Sequence, residues 1–120
     1  MKTVTLIGKQ WPLRYSLRAA IAVGERFGSL KKAFFDDEID EGEQLRRRIN
    51  VLLEMLRAGK AWAEKEEGAH LPELPEEEDL LDSLSYRQGK VITETMLEVI
   101  NEDDASEFGA EGDGKNAEAR

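Results

Sequence analysis

The 120-residue sequence predicts an α+β fold, mostly α, in which an N-terminal β-hairpin packs on a bundle of about four to five helices and a disordered acidic C-terminal tail closes the chain. Three observations carry this expectation. Residues 2–15 alternate apolar and polar side chains around a Gly-Lys step. Residues 16–100 bring apolar side chains back at helical spacing, in segments cut by Ser, Gly and Pro. Residues 101–120 are acid, Gly and Ala with one aromatic, Phe108, too little apolar surface to offset the entropy of ordering. The organisation is therefore one domain over 1–100 and a tail over 101–120.

Within the hairpin, 2–15, "KTVTLI" puts Val4 and Leu6 on one face and Thr3 and Thr5 on the other, a strand pattern. Gly8-Lys9 suits a two-residue turn with Gly supplying the positive φ of type II′. In "QWPLRY" Trp11, Leu13 and Tyr15 share a face, and Pro12 demands an edge strand or an outward-facing nitrogen. Two strands are marginal alone, so their apolar face needs a cover. The next segment, a helix over about 16–27, offers one through Leu17, Ala20 and Ile21, with Ser16 as N-cap and Gly28 as terminator. Ser29 caps a short helix, 30–35, bearing Leu30, Ala33 and Phe34.

"DDEIDEGE" at 36–43 reads as a solvated loop running into a helix over 41–67, where Asp40 and Glu43 make a capping-box-like start. Leu45, Ile49, Leu52, Leu53 and Leu56 form its apolar stripe, Gly59 is expected to bend or interrupt it, and Trp62 is its last apolar anchor. "AHLPELP" excludes helix, and Pro75 with the following acids favours a helix over 76–84 carrying Leu80, Leu81 and Leu84. Ser85 caps the last helix, 86–100, whose broad face holds Val91, Ile92, Thr95, Met96, Val99 and Ile100.

The net charge of −9 is unevenly spread: +6 over 1–35, −10 over 36–100 and −5 over 101–120. Such asymmetry suits head-to-tail contacts between copies or a charged partner, and equally a set of separately solvated surfaces. It argues against general nucleic-acid binding, which draws its affinity from a large basic excess. No apolar run approaches bilayer length and no leader pattern precedes a cleavage site, so neither a membrane nor export is expected. There is no cysteine, hence no disulfide and no thiol chemistry.

Catalytic and metal-binding readings fail one by one. His70, the only histidine, sits in a loop among Ala, Leu and Pro, where histidine is ordinarily solvated. A zinc site would need mostly carboxylates, an unusual ligand set. An EF-hand begun at Asp37 puts Ile39 and Arg48 where oxygen ligands belong. Arg46, Arg47 and Arg48 fan over about 200° of a helix, so they form no single anion clamp and instead suit pairing with Glu43 or Asp40. Gly8-Lys9 and Gly59-Lys60 lack the rest of a phosphate-binding loop, and no Ser sits in a nucleophile elbow. No catalytic, cofactor or metal residue is assigned.

The order of elements resembles another kind of protein. "VTLIGKQWPLRYSLRAAIAVGERFGSL", through Val4, Leu6, Gly8, Lys9, Leu13, Arg14, Ile21, Glu25, Gly28 and Leu30, resembles the opening of the tail assembly chaperones of long-tailed, siphovirus-like phages, prophages and gene transfer agents. "INVLLEMLRAG" resembles the family's Leu-rich helix, and "LPEEEDLLDSL" with "VITETMLEVI" its closing two helices, so the likeness covers about residues 3–100. "KAWAEKEEG" and Pro12 depart from the pattern. The resemblance implies a non-catalytic chaperone in the bacterial cytoplasm, absent from the finished virion. It would bind the tape measure protein and help recruit tail tube subunits, the major tail protein. It also implies a longer form made by frameshifting, for which Gly114-Lys115-Asn116 allows the slippery codons GGA AAA AAC. Self-association of copies is a further expectation. The alternatives are a small acidic binding chaperone or adaptor of the secretion type, and an acidic DNA-mimic inhibitor. The contact surface is expected at the one basic segment and its strand: Trp11, Leu13, Arg14, Tyr15, Arg18, Lys31 and Lys32.

Overall fold

The computed structural model describes the backbone of residues 2–108 and the side chains of 2–102. Elements follow in the order β1 (Thr3–Leu6), β2 (Lys9–Pro12), α1 (Leu17–Phe27), α2 (Leu30–Phe34), α3 (Glu41–Glu66), α4 (Glu77–Ser83) and α5 (Tyr86–Phe108). The expected α+β class, mostly α with an N-terminal hairpin, is the architecture observed. Of the tail expected to be disordered over 101–120, residues 101–108 instead continue α5, and 109–120, with Gly114-Lys115-Asn116, lie outside the described residues.

The helix starts are where short polar side chains satisfy the orphan N–H groups of a first turn. Ser16 Oγ accepts from the Ala19 N–H at 3.1 Å, Ser29 Oγ from the Lys32 N–H at 3.1 Å, and Asp40 from the Glu43 N–H at 2.8 Å. Ser85 and Gln88 cap each other, the Gln88 N–H donating to Ser85 Oγ at 3.1 Å and the Ser85 N–H to Gln88 Oε1 at 2.8 Å. α5 runs past residue 100, where the sequence pattern ends it, because Asn101–Phe108 contains no Gly or Pro and nothing in its backbone stops the helix.

The hairpin turns one residue earlier than expected. Leu6 pairs with Lys9, Val4 with Trp11 and Thr3 with Pro12, so the two-residue loop is Ile7-Gly8 rather than Gly8-Lys9. Both loop residues are left-handed, φ 50° at Ile7 and 76° at Gly8, the type I′ pattern in place of II′. The Leu13 N–H donates to the Lys2 carbonyl at 3.0 Å, and ladder alternation turns the neighbouring Pro12 nitrogen away from β1. Gly8 tolerates its conformation, whereas a β-branched Ile7 is an outlier there, at a cost of roughly 1–2 kcal/mol.

The hairpin's cover is α3, not α1. Val4, Leu6, Trp11 and Leu13 join Phe34, Val51, Leu52, Met55, Leu56 and Leu80 in one core. β2 meets α3 at Gly59: a Cβ there would overlap the carbonyl carbon and oxygen of Pro12. The Arg14 N–H also donates to the Met55 carbonyl at 3.3 Å. Gly59 therefore does not interrupt the helix, which continues to Glu66; it is bare so that a strand can lie against it.

Helix phases differ from the sequence expectation in three places. α1 packs on α3 and α2 through Ala19 and Val23, leaving Leu17 and Ile21 exposed. Its sequence is apolar nearly all round from Ala19 to Val23, so periodicity does not fix the buried side, and the small residues face inward because they let helices approach closely. On α3 the buried positions are Val51, Leu52, Met55, Leu56, Gly59 and Ala63, while Leu45, Ile49 and Leu53 are half-buried, because α1, α2, β2 and α4 all pack against this helix. On α5, Ile92, Met96, Val99 and Ile100 are buried and Val91 is exposed.

Three substitutions test this packing. Gly59→Ala should lower stability by about 2–3 kcal/mol in urea unfolding, overlap outweighing the roughly 1 kcal/mol of helix propensity that Ala gains. Gly24→Ala, in open space on α1, should raise it by about 0.5–1 kcal/mol. Ile7→Asn, at a 54% exposed position, should raise stability by about 1 kcal/mol by relieving the left-handed isoleucine.

Candidate interaction surface

The residues expected to form a contact surface fall into four groups. Trp11 and Leu13 are 3% and 1% exposed and belong to the core, so their alternation marks the inner face of β2. Tyr15 is half-buried against that core, and burial pushes its phenol above the ordinary value. Lys31 and Lys32 are exposed on α2. Only Arg14 and Arg18 are brought to a common groove.

The basic excess of residues 1–35 does not form one patch. Lys2 pairs with Glu98 at 3.9 Å and Glu102 at 3.6 Å, fastening β1 to α5. Arg26 lies over the Phe27 ring, its guanidinium carbon 5.4 Å from the centroid.

The arginine triplet is structural, and its fan explains how. Arg46 bridges to Glu77 and lies 3.9 Å from Glu78, holding the start of α4. Arg47 bonds Glu43 at 3.2 Å, the pairing expected at helix spacing, and also Asp36 at 3.2 Å and the Lys32 carbonyl at 3.0 Å. Arg48 donates twice to the Phe34 carbonyl, at 3.0 and 2.6 Å. Buried Gln44 donates to the Ala33 carbonyl at 2.7 Å and accepts from the Asp36 N–H. The orphan carbonyls at the end of five-residue α2 are thus satisfied by the first two turns of α3. Asp36, which the sequence places in a solvated loop, is part of this fastening.

A groove of about 320 Å³ runs between the start of α1 and the second half of α3. Arg14, from the β2–α1 link, lies over the half-buried Trp62 ring, 5.9 Å from its centroid. Arg18 enters from the first turn of α1, and Arg57 and Lys65 from α3, which also contributes Glu54 and Glu66, so four bases face two acids. Arg57 pairs with Glu54 at 2.9 Å, whereas Arg18 and Lys65 have no carboxylate within ion-pair distance among the described residues. The floor between them is Ala58, Ala61 and Trp62. Arg57, Trp62 and Lys65 are absent from the sequence-based contact surface; their spacing, with Ala58 and Ala61 between, is the signal that puts them on one side of a helix.

Beside this groove α1 presents Leu17 and Ile21, 79% and 52% exposed and four residues apart. An apolar ridge next to a cationic, aromatic-floored groove can receive an amphipathic helix or strand. No group of His, Cys, Asp and Glu suited to a metal occurs among the described residues, and no helix among them is long and apolar enough to cross a membrane. At the far end of α3, Tyr86 donates to Glu41 at 2.7 Å, and this bond with the carboxylate charge raises its phenol above the ordinary value.

No protein-family model matches this chain. No curated protein matches it. No solved structure matches it.

The fastening role of the triplet has a measurable consequence. Arg48→Ala should cost about 1–3 kcal/mol in urea unfolding, because a part-buried carbonyl loses a charged donor. Arg46→Ala, at a 54% exposed side chain, should change stability by less than about 1 kcal/mol.

Proposed function

We propose that this chain is a non-catalytic tail assembly chaperone of a long-tailed phage or prophage, which binds the tape measure protein and helps bring tail tube subunits to it in the bacterial cytoplasm. The reading rests on the resemblance over about residues 3–100, and one structural observation supports it: α1 sets Leu17 and Ile21 outward beside the Arg14–Trp62 groove. A client that is long, helical and prone to aggregate offers apolar ridges, and a chaperone for it needs an apolar surface of its own that does not collapse inward. The two-stranded sheet adds a second feature, since β1 has no strand on its outer side among the described residues and can accept one.

The test is co-expression with the tape measure and major tail proteins encoded beside the gene. Wild type should keep the tape measure protein soluble and co-purify with it. Leu17→Glu with Ile21→Glu, both at exposed sites and so compatible with folding, should reduce co-purification by about tenfold, the effect of losing one or two interface anchors. A tape measure protein that remains insoluble and unbound with wild type present overturns the reading.

A further inference from the structure

Between the hairpin tip and α4 lies a second groove, of about 520 Å³, inside the range of about 300–1,000 Å³ that binding pockets occupy. It is lined by half-buried Leu74, which packs against the core, by exposed Ile7, and by the edges of buried Leu6 and Trp11. Its rim is acidic: Glu73, Asp79 and Asp82 face a single amine, that of Lys9. The sign is opposite to that of the Arg14–Trp62 groove.

Ile7 gives this groove its meaning. Its backbone is left-handed at φ 50°, where Asn or Gly is less costly, and its side chain is 54% exposed. Neither stability nor solubility favours an isoleucine there; an apolar contact with something outside the fold does. Residues 109–120 of the chain, "GAEGDGKNAEAR", offer no large apolar side chain to fill the site. We infer that the groove docks a short segment of a partner protein in which an apolar anchor is flanked by Lys or Arg. The anchor lies on Ile7 and Leu74, and the flanking cations meet Glu73, Asp82 and Asp79, whose Oδ2 also accepts from the Glu76 N–H at 3.2 Å. This goes beyond the tail-assembly reading and does not depend on it, because the groove would select any partner of that chemistry.

The probes are two fluorescein-labelled synthetic peptides of equal length, with a Leu-Leu-Trp centre flanked by Lys in one and by Glu in the other. They are titrated against the full chain by fluorescence anisotropy at physiological ionic strength. The Lys-flanked peptide should bind and the Glu-flanked one should not. Ile7→Asn and Asp82→Lys should each weaken binding by about tenfold, while Glu38→Lys, the same charge change on an exposed site outside the groove, leaves it unchanged. Ile7→Asn is the decisive variant, because its unfolding midpoint should match or exceed wild type while its affinity falls. The inference is overturned if the Lys-flanked peptide does not bind, if Ile7→Asn binds like wild type, or if Glu38→Lys weakens binding as much as Asp82→Lys. It is also overturned if light scattering shows wild type self-associating and Ile7→Asn monomeric, which would assign the groove to a second copy.

Discussion

The closest constraint in the structure is between two backbones. β2 crosses α3 where Gly59 leaves the helix bare, and no side chain fits between them. A two-stranded hairpin has too little buried surface to stand alone, so this contact decides whether the first fifteen residues fold at all. It also positions the next elements of the chain. The link leaving β2 gives the Arg14 N–H to the Met55 carbonyl, and the Arg14 side chain then reaches Trp62, one turn of α3 beyond Gly59. α1 starts three residues after Arg14, with its small face on α3 and its large apolar residues outward. The groove and the apolar ridge beside it are downstream of one missing Cβ.

The same helix holds the elements that are too short to persist unaided. α2 has five residues and α4 seven, well under the length at which an isolated helix is marginal in water. α2 keeps its end carbonyls satisfied by Gln44, Arg47 and Arg48, and α4 is held by Arg46 outside and Leu80 inside. Three adjacent arginines serve three directions because consecutive helical residues diverge by about 100°. Charge that the sequence assigns to pairing along the helix, with Glu43 or Asp40, keeps one such pair at Arg47 and otherwise joins α3 to its neighbours.

Local chemistry is legible in the sequence, and relative placement is not. Ser16, Ser29, Asp40 and Ser85 announce helix starts because an N-cap acts within three residues. The hairpin register is different. Moving the loop from Gly8-Lys9 to Ile7-Gly8 slides the strands by two residues and keeps every apolar side chain on its face, so alternation cannot choose between them. α1 is ambiguous for a related reason, since Ala19 through Val23 give either side of the helix an apolar reading. Gly59 resembles a break because sequence supplies no view of the strand that needs it. Of the expected contact residues, Trp11 and Leu13 carry the pattern of a buried face. Arg14 and Arg18 become part of a groove only once α3 supplies Arg57, Trp62 and Lys65 from some forty residues away.

The two grooves differ in sign on a chain whose net charge is −9, and under the two docking roles proposed above that difference has a physical use. A protein that must hold two partners gains little from two equally sticky apolar patches, since either partner would occupy both. Opposite rims separate them: a segment matched to Arg14, Arg18 and Lys65 is repelled by Glu73, Asp79 and Asp82, and the reverse. Apolar floors then supply affinity while the rims supply choice. On this argument the left-handed Ile7 belongs with the exposed Leu17 and Ile21. Each is a local rule broken at the surface of a fold whose caps, core and backbone pairing are otherwise satisfied, and such breaks concentrate where a protein meets something else.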